Sequence, residues 1–273
     1  MKLPKDVYVV QGNISGPTVA LFAGVHGNER AGIYALQELQ KSLQVAKGTV
    51  YLVYANPPAI EKNVRMCGKN LNRCFMPDNS GTSYEDKRAR QLMKLLDQCD
   101  ALLDLHMFYD DQNVPFAICE QNSVDIANLF DVDIISTNWD SIEPGATDGY
   151  MFNQGKVGIC VECGPISKSN EYTDFAIRTV MQFLSYYDML AEPEMYSTEP
   201  KRVIQTLYAV HKTDESFVLQ PGFHDFERLT SNTLIARENG KEYYGKSGEC
   251  IIFPHYKARI GEEAYIIGME QMY

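Results

Sequence analysis

The chain lacks any continuous apolar run approaching the ~18 residues of a membrane-spanning helix. Its opening stretch, "MKLPKDVYVVQG", carries no apolar core of an export signal. No membrane partner is therefore expected. Positive charge is also short: Lys+Arg 25 against Asp+Glu 36 leaves a formal net charge of -11. That balance disfavours grip on a phosphate backbone, so no nucleic-acid partner is expected. G-x-G-x-x-G, P-loop and G-x-S-x-G patterns are absent, which removes support for a nucleotide cofactor or a serine nucleophile. There are no internal repeats and no low-complexity tract. Seven cysteines, an odd count without an export signal, read as reduced thiols in a cytoplasmic setting. Histidine is scarce at five residues, so the position of each one carries information.

What is present reads as alternating strands and helices over the first two-thirds. "VYVVQG", 18–25, 48–56, 100–108, 113–120 and 156–164 have the apolar character of strands. Segments 29–43, 83–99, 123–131 and 171–190 have helical spacing, with Ser83 as an N-cap before an acidic first turn. Such alternation predicts an α/β sheet covered by helices on both faces. From about 192 the pattern changes. A Pro-containing linker (191–201) leads into short β-type runs, so residues 1–195 form one domain and 200–273 a small β-rich one.

In α/β sheets, ligands bind outside the carboxyl ends of strands. Strand 18–25 runs into His26 and Glu29, strand 100–105 into His106, and strand 156–161 into Glu162. "HxxE" alone is most simply a polar turn. A second strand-terminal histidine turns it into a candidate two-histidine, one-carboxylate zinc set of His26, Glu29 and His106, leaving a coordination position open. Gly27 is expected to let the backbone turn sharply so that Glu29 reaches the same ion. Glu162, inside "GICVECGP", must be either partnered or functional. It is a general base tuned by its surroundings or half of a buried ion pair. Cys160-x-x-Cys163 invites a redox reading, but a period of two points the thiols to opposite faces, and no second pair exists. Arg65, Asn72 and Arg73 lie in the loop after strand 48–55; they suit carboxylate recognition or a solvated loop. Placement of Asn72–Arg73 between Leu71 and Phe75 favours an apolar wall. His211, His224 and His255 read as ordinary polar residues. Tyr256 reaches the first domain's site only if the tail packs over it.

"HGNE" (26–29), "NPPAIEKNVR…NLNRCF" (56–75), "DLH" (104–106) and "VECGP" (161–165) together resemble the aspartoacylase/succinylglutamate desuccinylase family, related to the M14-like zinc carboxypeptidases. The motifs occur in family order. The resemblance implies a carboxypeptidase-like mixed sheet with helices on both faces and a small C-terminal β-rich domain partly covering the active site. It implies one Zn2+ ion held by His26, Glu29 and His106, with Glu162 as the base that activates water. It implies that Arg65 polarises the scissile carbonyl and that Asn72 and Arg73 hold the substrate's α-carboxylate. Two departures stand out. Asn70 replaces the aspartate of the familiar "DLNR", and "GATDGYMFNQGKVGICVE" has no arginine where aspartoacylases carry one for a side-chain carboxylate.

The expected function is thus zinc-dependent cleavage of the amide bond of a small N-acyl amino acid, a carboxylate-bearing small-molecule substrate. The alternative is a metallocarboxypeptidase acting on short peptides with a free C-terminal carboxylate. A non-catalytic binding protein would be expected to have lost one of the reactive positions, and all are present.

Overall fold

The computed structural model describes residues 3–271. The chain divides into two units: one runs through Ile135 and resumes at Trp139–Lys201, and the other comprises Ser136–Asn138 and the chain from Arg202.

The first unit is built on a mixed sheet. Its strands are β1 (Val7–Gln11), β2 (Ile14–Ala23), β3 (Lys47–Tyr54), β4 (Ala101–Phe108), β5 (Phe116–Cys119), the first half of β6 (Ile134–Thr137) and β7 (Val157–Pro165), in the order β1-β3-β2-β4-β7-β5-β6. β3, β2, β4 and β7 run parallel to one another; β1 and β5 pair antiparallel at the flanks of that block. Central β4 is buried along its whole length, and so it reads as a continuous apolar run rather than an alternating one. Asp104 and His106 interrupt that run, and both are buried.

Helices α1 (Arg30–Ser42) and α6 (Thr173–Tyr186) pack on each other and on β4. α1 lies so close to the sheet that a Cβ on Gly32 would stand 2.6 Å from Leu105 Cβ. α3 (Tyr84–Leu96), opened by a capping box between Ser83 and Asp86, buries Leu92, Leu95 and Leu96 in a core with Ala20, Phe22, Leu102 and Phe75. α5 (Thr147–Phe152) adds Met151 to that core and packs on β4 and β7.

Three elements of this unit have little sequence signal. α2 (Pro57–Lys62) begins at a Pro-Pro pair that reads as a strand stop, yet the prolines occupy the first helical positions, where an N–H is not needed. β6 and α5 are four and six residues long, too short for periodicity to register. A further short helix is α4 (Val124–Ala127).

The second unit is β-rich. β8 (Arg202–His211), β14 (Glu263–Glu270), β13 (Glu249–Ile252) and β10 (Glu227–Arg228) pair in that order, and β12 (Lys241–Tyr244), β11 (Leu234–Glu238) and β9 (Val218–Leu219) form a three-stranded sheet. Tyr265, Ile251, Ile267, Phe217 and Leu229 make its core. The Tyr256 hydroxyl donates to the Phe223 carbonyl at 3.0 Å and accepts from the Phe223 N–H at 2.7 Å. Among the described residues, no helix is long and apolar enough to cross a membrane.

Candidate active site

β2 delivers an apolar strand to a sharp turn. The residue with left-handed backbone there is Gly24 (φ +71°), not Gly27. Gly27 is required for a different reason: a Cβ on it would lie 2.0 Å from the Ala59 carbonyl carbon, inside the backbone of α2. Arg30 fastens the same turn, donating to the carbonyls of Gly27 at 3.4 Å and Ile60 at 3.1 Å. Glu29 occupies the N-cap of α1 but makes no side-chain cap. Its carboxylate is committed elsewhere.

That carboxylate lies between two imidazoles. Glu29 Oε1 is 2.8 Å from His26 Nδ1, and Oε2 is 3.0 Å from His106 Nδ1. All three side chains are buried, and their ligand atoms lie within 4.8 Å of one another. The ladder between β4 and β7 slips after the His106–Glu162 pair, and the Met107 N–H at the slip donates to Glu29 Oε2 at 3.1 Å. Arg65 Nη1 stands 3.2 Å from Glu29 Oε1 on the open side.

The far edges of the rings decide which nitrogen carries hydrogen. Asn70 Oδ1 accepts the Asn72 N–H at 3.0 Å, which identifies that atom as the oxygen. It also lies 3.0 Å from His26 Nε2, so Nε2 must donate and Nδ1 is the lone-pair nitrogen. Asp104 Oδ2 lies 3.1 Å from His106 Nε2, a close charge contact rather than an aligned hydrogen bond. The His26 Nδ1 lone pair thus faces one oxygen of Glu29, acceptor against acceptor, while His106 Nδ1 faces the other oxygen. One cation shared by the three groups would relieve the first contact and take the place of a proton in the second. Burial holds His26 below its ordinary value, so its contact with Glu29 is not relieved by protonation. Burial opposes charge on His106 and Glu29 as well. Asp104 and Glu29 nevertheless pull His106 well above its ordinary value, and the two imidazoles hold Glu29 far below the carboxylate range. The donor set fits a divalent ion such as zinc.

Glu162 is the ladder partner of His106, so it rises from the same face of the sheet one strand away. β4 and β7 both run past these residues, which lie within the strands rather than at their ends. Cys160 and Cys163 are buried free thiols pushed up well above their ordinary values by burial, which suits neither redox chemistry nor nucleophilic attack.

Asn72 and Arg73 form a 3-10 turn between buried Leu71 and buried Phe75. Asn72 Oδ1 accepts the Thr147 N–H at 3.3 Å, and Arg73 pairs with Glu143 through Nε at 2.6 Å. The structure therefore brings His26, Glu29, His106 and Arg65 into direct contact. It sets Glu162 beside His106 and gives Asn72 and Arg73 partners from the 139–147 segment.

Five participants escape sequence reasoning: Asn70, Asp104, Glu143, Thr147 and Asp148. Asp104 had a signal, since a residue two before His106 on a strand shares its face. Thr147 Oγ1 donates to Asp104 Oδ2 at 2.6 Å, and Cys160 Sγ lies 3.4 Å from Asp148 Oδ1. These contacts join α5 to the back of the site, and no local pattern announces them.

A model of the succinylglutamate desuccinylase/aspartoacylase catalytic domain matches residues 15–187. The chain is similar to a succinylglutamate desuccinylase of Pseudoalteromonas atlantica, 25% identical over 92% of this chain and 81% of the relative. It is similar to an N-acyl-aromatic-L-amino acid amidohydrolase of Xenopus laevis, 24% identical over 90% of each. Among solved structures, a succinylglutamate desuccinylase from Vibrio cholerae superposes with a TM-score of 0.83 at 17% identity, covering 97% of this chain and 86% of that one.

Proposed function

Because the chain belongs to the succinylglutamate desuccinylase/aspartoacylase family, we propose that it hydrolyses the amide bond of a small N-acyl amino acid with a metal ion, zinc, at its centre. The observation that carries this reading is the buried cluster in which Nδ1 of His26 and Nδ1 of His106 each face one oxygen of Glu29. The named relatives differ in acyl group and side chain, but the scissile bond is common to them: an amide on the α-nitrogen of an amino acid with a free carboxylate.

His26, Glu29 and His106 would hold the ion, which when bound supplies Lewis-acid polarisation of the carbonyl and lowers the pKa of water to ~7. Glu162, one strand from His106, takes the proton from the attacking water and returns it to the departing amine. Arg65 stands at the open edge of Glu29 and donates to the oxyanion that develops on the carbonyl. Asn72 and Arg73 bind the α-carboxylate and set the amide against Arg65 and Glu162. Buried Asp104 and half-buried Asn70 stand behind the two imidazoles and orient them.

Protein purified without chelator is expected to contain about one zinc per chain, and Glu162→Gln is expected to keep it while hydrolysis falls by ~10² or more. Hydrolysis by that variant at the parental rate would remove Glu162 from the mechanism. Absence of zinc, with no gain in activity on adding it, would remove the metal. The screen covers N-acetyl, N-succinyl and N-formyl amino acids alongside dipeptides, whose preference would mark a carboxypeptidase instead.

A further inference from the structure

Arg73, the proposed anchor of the substrate carboxylate, already has a carboxylate beside it. Glu143 Oε2 accepts from Arg73 Nε at 2.6 Å and lies 2.5 Å from Nη2. Arg73 Nη1 donates to the Asn72 carbonyl at 2.8 Å. The pair is half-open, with side-chain exposures of 37% for Arg73 and 18% for Glu143, so a small molecule can reach the guanidinium while Glu143 remains on it.

Glu143 is a fixture. The Phe75 N–H donates to the Gly145 carbonyl at 3.0 Å, and the Thr147 N–H to Asn72 Oδ1 at 3.3 Å. Gly145 has left-handed backbone (φ +90°), and a Cβ there would stand 2.9 Å from the Arg73 carbonyl carbon. On its other side the loop is closed by the Glu143 N–H donating to the Trp139 carbonyl at 2.8 Å. The segment that carries Glu143 is thus tied to the turn that carries Arg73 and does not swing clear of it.

We infer that Glu143 is a charge filter, selecting N-acyl amino acids with neutral or cationic side chains against those with a second carboxylate. This rests on the deacylase reading above. An amino acid's side chain leaves the same carbon as its carboxylate, so a group bound at Arg73 brings its side chain within a few ångströms of Glu143. Like charges at that separation cost on the order of tenfold in binding even where solvent reaches them. The flanking cations do not offset the repulsion, because Arg65 is paired with Glu29 at 3.2 Å and Lys69 with Asp86 at 2.7 Å.

The test compares kcat/KM for Nα-acetyl-lysine, N-acetylmethionine and N-acetylaspartate in zinc-loaded parent and Glu143→Gln. The parent is expected to handle the aspartate compound roughly tenfold or more below the methionine one, and the variant to close most of that gap. A parent that prefers N-acetylaspartate overturns the filter. So does a variant that slows all three substrates in equal proportion, since Glu143 would then only orient Arg73. Calorimetric binding of free lysine, methionine and aspartate to both proteins tests the same selectivity without turnover. Failure to hydrolyse any of the three, or their N-succinyl and N-formyl counterparts, with aspartate bound more weakly than methionine in the parent only, overturns the deacylase reading and upholds the filter. Aspartate bound as tightly as methionine by the parent, or no binding of any of them, overturns the filter.

Discussion

Replacing Thr147 with valine removes one hydroxyl from the back of the site and almost nothing else. The two side chains have nearly the same volume, so no cavity opens, and the Thr147 N–H that holds Asn72 belongs to the backbone and stays. What is lost is the 2.6 Å hydrogen bond to Asp104 Oδ2. Asp104 is fully buried, and its Oδ1 has no hydrogen-bond partner among the described residues. Without Thr147 the carboxylate has only the oblique contact with His106. A hydrogen bond to a buried charge contributes ~1.5–3 kcal/mol. In a protein of this size that corresponds to a fall of roughly 3–10 °C in Tm. A second effect follows from the loosened carboxylate. Losing the group that orients a metal-binding imidazole typically costs ~10–100-fold in metal affinity. Thermal melts of metal-free protein measure the first effect, and competition with a zinc chelator measures the second. Thr147→Ser restores the donor and should recover the metal affinity while losing a methyl group. If Thr147→Val melts within about 1 °C of the parent and binds zinc as tightly, the hydroxyl does not hold Asp104 and the reasoning fails.

Asp148 has its carboxyl pushed up to about 6 by burial. The folded protein therefore keeps a proton that the unfolded chain releases near pH ~3.9, and this group lowers stability as pH rises from about 4 to about 6. Asp148→Asn should remove roughly 2 kcal/mol of that decline, read from urea unfolding at pH 4.5 and 7; parallel curves for parent and variant would contradict it. Gly27→Ala would drive a methyl group to 2.0 Å from the Ala59 backbone, so a loss of ~2 kcal/mol or more, or failure to accumulate folded protein, is expected. Parental stability of that variant in denaturant would mean that α2 does not lie where the structure has it. Leu102→Ala, at a fully buried position near the start of β4, should cost ~2–5 kcal/mol by chemical denaturation, and a value under ~1 would argue for a looser core.

The strands that carry chemistry were legible because burial writes itself into composition. β2, β4 and β7 sit between helix layers, so each reads as an apolar run, and a histidine or glutamate in such a run stands out against it. His106 and Glu162 stand out in that way, whereas His26 and Glu29 follow the end of β2, in the turn before α1. The role given to Gly27 was half right: a glycine is needed, but for close approach to Ala59 rather than for a left-handed turn. Segments 57–62, 134–137 and 147–152 were missed because two prolines or a span under two helical turns left no period to read.

The sequence by itself determined the alternation of the main strands and helices and the buried centre of the sheet, and it marked His26, Glu29 and His106 as a candidate triad, since these depend on local periodicity or on a polar residue in or just after an apolar strand. Only the tertiary structure decided what surrounds the triad. Asn70 is 44 residues from His26, Thr147 is 43 from Asp104, and Glu143 is 70 from Arg73. The first and third pairs meet because separate loops close on one another, and the second because α5 packs on β4. Loop closure is set by packing at both ends of a segment, and it leaves no periodic mark on the residues it brings together.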